Sequence, residues 1–147
     1  MSITSEQGVK HAWGFFSFLN YSGLVELGES MRHEESQIQI AVANYLKYKY
    51  PQVLFTIAPS GVNLPIRVAQ RMKAMGYAAG TPDLMIFEAR GWYHGLFLEL
   101  KTERGRASDL QKNFIAQLTK RQYAVALCFG YTQAIQEIDK YLNLEGV

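Results

Sequence analysis

A single cysteine, Cys128, in 147 residues rules out an internal disulfide or a multi-cysteine zinc site. It lies inside the apolar run YAVALCF (123–129), where a thiol reads as core packing rather than as a reactive group. A chain without disulfides suits a reducing cytoplasm. Long apolar runs are missing as well. None approaches the roughly 18 residues that a membrane span needs, so no membrane partner is expected. The segment AWGFFSFL (12–19) makes a poor signal peptide, because Glu6 precedes it and only Lys10 supplies basic charge. The three histidines, His11, His33 and His94, share no spacing that would build a triad or a zinc site. GYAAG (76–80) lacks the lysine of a P-loop, and no small-molecule cofactor is expected.

What is present fits one folded domain. Hydrophobic residues make up 48% of the chain and charged residues 19%, enough apolar material for a sizeable core. The net charge of +2 conceals an asymmetry. Between Arg67 and Arg121, ten Lys/Arg face five Asp/Glu, a balance of +5, against −3 for the rest. Acids retained inside a basic segment suggest a polyanion partner with something cationic held between them. Scattered solvated charges are the plain alternative.

Residues 1–30 are aromatic-rich and glycine-punctuated, without clear periodicity, and read as an arm or small hairpin. From Met31 the pattern sharpens. Ile38, Ala41, Val42, Tyr45 and Leu46 recur at helical spacing, and Pro51 marks the exit. VLFTIA (53–58) predicts a strand. Pro65 opens a helix with Val68, Met72 and Met75 on its apolar face and Gly76 as C-cap. Strands follow at about 83–88 and 95–101. Ser108 begins a helix with Leu110, Phe114 and Leu118. YAVALCF predicts an interior strand, and Thr132 begins a last helix with Ile135, Ile138 and Leu142 facing inward. This order predicts an α/β fold around a central sheet.

The stretch GTPDLMIFEARGWYHGLFLELK (80–101) carries the chemistry. Alternation puts Leu96, Leu98 and Leu100 on one strand face and Phe97, Glu99 and Lys101 on the other. If the two strands pair as an antiparallel hairpin, Asp83 lies near the end of its neighbour. Two carboxylates and an ammonium then meet on one rim. Close carboxylates repel, more so when partly buried. A divalent cation resolves the conflict, and a hard oxygen set suits Mg²⁺, or Mn²⁺ in its place. The competing explanation is a salt bridge from Lys101 to Asp83 or Glu99 at a solvated edge.

GTPDLMIF followed by GLFLELKTERGRASDLQ resembles the PD-(D/E)XK nuclease superfamily, and within it the VRR-NUC branch, across roughly residues 31–143. The resemblance implies a restriction-endonuclease-like α/β core, with a central mixed sheet flanked by helices. It also implies an extension over 1–30 and a nuclease domain over 31–147. Carried over by position, Asp83, Glu99 and the Leu100 carbonyl are metal ligands, and Lys101 positions the attacking water. The helix-1 glutamate corresponds to Glu35, as ESQIQ matches the family pattern, with adjacent Glu34 as the alternative. Gln111 matches a functional glutamine; equally, Ser108-x-x-Gln111 is a capping box. PSGVNLPIR follows the family's asparagine- and glycine-rich segment only loosely. Arg104, Arg106, Lys112, Lys120 and Arg121 are candidates for phosphate contacts.

These implications add up to a Mg²⁺-dependent endodeoxyribonuclease in the cytoplasm of a bacterial or phage-infected cell. Branched DNA such as a Holliday junction is the expected substrate, and a homodimer the expected form. A nick- or flap-cutting or sequence-specific nuclease of the same chemistry is one alternative. A non-catalytic DNA-binding module is the other.

Overall fold

The leucine alternation of residues 96–101 organises the molecule. In the computed structural model, which describes residues 30–59 and 64–146, these residues form β3 (Leu96–Lys101), and all six are buried. Antiparallel pairing joins β3 to β2 (Leu84–Ile86), with Leu84 opposite Leu98, and β2 to β1 (Phe55–Ile57). On its other side β3 runs parallel to β4 (Ala124–Phe129). The sheet order is β1-β2-β3-β4. A parallel neighbour requires a crossover, and α3 (Asp109–Lys120) supplies it.

Leu84, Ile86, Leu96, Leu98 and Leu100 share the core face with Cys128. Val42 and Leu46 of α1 (Ser30–Lys49) and Ala134, Ile138 and Leu142 of α4 (Gly130–Leu142) pack onto it. Burying each large aliphatic side chain contributes about 1.5–3 kcal/mol, so this face dominates the stability. The cysteine is fully buried, and burial pushes its thiol up to about 12, as expected of a packing group.

Four expectations shift. YAVALCF is not an interior strand: among the described residues β4 is the outer strand, beside β3 only. One face of it packs into the core, while the other is only partly covered by α3. Cys128 points into the core, while Leu127 faces a groove shared with Ile115 of α3. The strand at 83–88 shrinks to Leu84–Ile86, since the tight Arg90–Tyr93 turn sits on a long irregular connection. The last helix starts at Gly130, two residues early, with the Gln133 side chain accepting from the Phe129 amide at 2.6 Å. Finally, α2 (Ile66–Ala74) forms after Pro65 but buries none of its residues; Val68 and Met75 are exposed. Periodicity marks a stripe, and it cannot say what the stripe packs against.

The aromatic arm expected over residues 1–30 lies, apart from Ser30, outside the described residues, as does part of PSGVNLPIR at 60–63. No helix among the described residues is long and apolar enough to cross a membrane.

Candidate active site

Asp83 sits where β2 begins, 3% exposed. The hairpin register ends at Leu84, so the Leu100 amide lies beyond the ladder. It donates instead to Asp83 Oδ2 at 2.7 Å, while the Asp83 carbonyl accepts from the Ala58 amide at 2.8 Å. The turn ahead of it is held against α3. Gly80 has φ +88°, and a Cβ there would lie 2.6 Å from the Leu110 backbone. Only glycine tolerates both the left-handed backbone and that approach. Pro82 is buried, and Thr81 Oγ1 donates to the Ala78 carbonyl at 2.7 Å. The Gly-x-Pro-Asp turn thus docks on the helix that carries Gln111.

Glu99 is fully buried. Its Oε1 accepts from Lys101 Nζ at 2.7 Å and from Gln111 Nε2. Its Oε2 is buried with no hydrogen-bond partner. Burial, then the charge of Asp83, push its carboxyl up to about 7 despite Lys101. Lys101, 6% exposed, also faces Glu35 Oε1 at 3.5 Å. Burial lowers its proton affinity, but the bond to Glu99 and the charges of Glu99, Glu35 and Asp83 outweigh that, and the ammonium persists above its ordinary range.

Gln111 closes the expected capping box and also reaches Glu99. Its Oε1 accepts from the Ser108 amide at 2.8 Å and its own amide donates to Ser108 Oγ at 3.3 Å, closing the capping box. The other end of the same amide donates to Glu99.

Asp83, Glu99, Lys101 and Gln111 are therefore brought together, and Glu35 joins through Lys101. Glu34 is exposed, whereas Glu35 is half-buried. Leu100 is tied in by its amide. Lys112 pairs with exposed Asp109 at 3.2 Å, and Arg121 donates to the Gln117 carbonyl of its own helix at 2.9 Å. Sequence reasoning missed Tyr77, whose phenol is pushed up by burial and then by the charges of Asp83 and Glu99; no spacing signal pointed to it.

Three carboxylates around one ammonium leave an excess of negative charge. Among the described residues, no three Asp, Glu, His or Cys side chains are grouped closely enough to hold a metal ion by themselves. Mg²⁺ does not require that. It is commonly bound through one or two carboxylates, with waters and substrate phosphates completing the shell. The unpartnered Glu99 Oε2 beside Asp83 fits such a minimal set.

A mixed sheet with Asp83 at one strand start and Glu99-x-Lys101 at the neighbouring strand end defines an α/β nuclease core. The sequence profile of the VRR-NUC domain matches residues 33–131, and the chain belongs to that family, with its nuclease-type fold. A solved structure titled "VRR_NUC domain protein" is similar at 30% identity and a TM-score of 0.65, covering 84% of this chain and 94% of that one. No curated protein matches.

Proposed function

We propose that the protein is a metal-dependent endonuclease that hydrolyses phosphodiester bonds in branched DNA. The observation that carries this reading is the buried, unpartnered Glu99 Oε2 beside Asp83 and Lys101, in a chain of a nuclease family. Asp83 and Glu99 would hold Mg²⁺, or Mn²⁺ in its place, with the Leu100 carbonyl and Glu35 as further candidate ligands. When bound there, the ion would supply Lewis-acid polarisation of the phosphoryl oxygen and a lowered pKa of its water. Lys101 Nζ orients the attacking water and faces the charge that develops on the phosphate. Gln111 fixes the Glu99 carboxylate, and Glu35 holds the Lys101 ammonium toward the rim.

Paired incision of a four-way junction needs two sites, and a two-fold homodimer provides them from one sequence. The test is incubation with linear, nicked, flapped and four-way DNA, in Mg²⁺ or in chelator, with light scattering on the same preparation. Cleavage only in Mg²⁺, strongest on four-way DNA and by a dimer, is expected. Preference for nicks or flaps would reject the junction assignment and leave the chemistry.

A non-catalytic DNA-binding module has one observation in its favour: Lys101 already neutralises Glu99 Oε1 at 2.7 Å. That reading predicts equal DNA binding with and without Mg²⁺, and no product.

A further inference from the structure

The cleavage chemistry leaves one adjoining feature unused. A groove of about 520 Å³ is lined by Gly105 and Arg106 of the β3–α3 loop, Lys112 and Ile115 of α3, and Leu127 and Phe129 of β4. Its position follows from the sheet. Leu127 pairs with Glu99 and Phe129 with Lys101, so the groove wall continues the face of the reactive side chains one strand outward, about 4.8 Å away. Gly105 joins the two regions: a Cβ there would lie 3.1 Å from Lys101 Cβ and Cδ.

The lining has two chemical parts. Ile115, Leu127 and the Phe129 ring, 40% exposed, offer an apolar wall with an aromatic edge. Arg106 and Lys112 add two cations, and the exposed pair of Lys112 with Asp109 costs little to give up. An apolar ligand would have no use for the cations, and a bare phosphate none for the ring. A flat base attached to a phosphate uses both.

We propose that this groove is a nucleotide subsite for the residue adjoining the scissile phosphate, with its base on Phe129 and its phosphate between Arg106 and Lys112. The inference rests on the nuclease reading and deepens it. A base lying on a protein ring has left its duplex stack. The cut then falls beside an unpaired or unstacked nucleotide, a feature that flaps, forks and junctions share and intact duplex lacks.

The probe is thymidine 3′,5′-bisphosphate, titrated calorimetrically into the full chain in chelator. Saturable binding is expected, weakened by roughly tenfold to a hundredfold in Phe129→Ala, the usual range for a lost stacking partner. Phe129→Tyr, which keeps the ring, should bind as wild type, Arg106→Gln should bind more weakly, and Asp83→Asn should not be weakened. No saturable binding at millimolar bisphosphate, equal affinity in Phe129→Ala, or loss in Phe129→Tyr would each overturn the subsite while leaving Mg²⁺-dependent cleavage standing. Conversely, absence of cleavage on every DNA rejects the nuclease reading and leaves the bisphosphate result intact.

Discussion

Asp139 and Glu99 each have a lysine ammonium within 2.8 Å, but their remaining contacts diverge. Asp139 Oδ1 accepts from the hydroxyls of Tyr45 and Tyr50, and Oδ2 accepts from Tyr45 and from Lys49, all at 2.7–2.8 Å. Lys49 Nζ also sits 5.2 and 5.3 Å from the two ring centroids. Every carboxylate oxygen is satisfied, charge is balanced, and the cluster pins α1 to α4. At Glu99 one oxygen is satisfied and the other, equally buried, is not, while Asp83 and Glu35 add further negative charge. A buried polar group left unpaired costs about 1–3 kcal/mol, and nothing in the packing returns it. A closed cluster serves the fold. An open one is arranged for something that arrives later.

Breaking the open cluster should have the largest effect. Asp83→Asn or Glu99→Gln should lower cleavage on the order of 10³-fold or more, with an unchanged fold, since removing one of two repelling carboxylates relieves the apo protein. Steady-state rates on the preferred DNA, with circular dichroism alongside, check both halves. Full activity in either variant would sink the assignment. Lys101→Ala should cost on the order of 10²-fold in single-turnover rate, as for a positioned acid–base group, with metal binding retained. If affinity for the ion collapses while the rate per bound ion holds, Lys101 is structural.

The two clusters should also answer pH differently. Glu99 binds its proton more tightly when folded, at about 7, than at its ordinary 4.5. Its contribution to stability is therefore complete below 4.5 and is lost as pH rises through about 7. In chelator, urea midpoints should fall over that window by the equivalent of roughly 3 kcal/mol, and Glu99→Gln should abolish the slope. In the closed cluster, burial and Asp139 push the Tyr50 phenol up to about 12, so that hydroxyl keeps its proton across the window. A flat wild-type profile would contradict the burial of a charged Glu99. The smallest effect belongs to the closed cluster itself. Asp139→Asn should destabilise by about 1–3 kcal/mol and leave cleavage near wild type, by thermal melts and rates.

Much of this comparison was legible in the residues and part was not. The Leu96/Leu98/Leu100 alternation predicted the core face and hence the direction of Glu99 and Lys101, because strand geometry allows only two faces. The Gly-x-Pro-Asp turn announced a carboxylate at a strand start. Its docking on α3 depends on a 2.6 Å approach of Gly80 to Leu110, which no local pattern encodes. Composition cannot separate a central strand from an outer one that is only partly covered on its second face, as β4 is. Nor could it place Asp139 with Tyr45, 94 residues away, or leave one oxygen of Glu99 without a donor. Those facts arise from tertiary packing alone.

The most direct measurement is a calorimetric titration of Mn²⁺ into wild type, Asp139→Asn and Glu99→Gln near pH 7. Binding to the first two with release of about half a proton, as a carboxyl poised at about 7 carries there, and no binding to Glu99→Gln, is the predicted result, because the ion takes the place of the proton on Glu99. Equal binding to all three proteins would contradict the claim that the open carboxylate pair is the metal site.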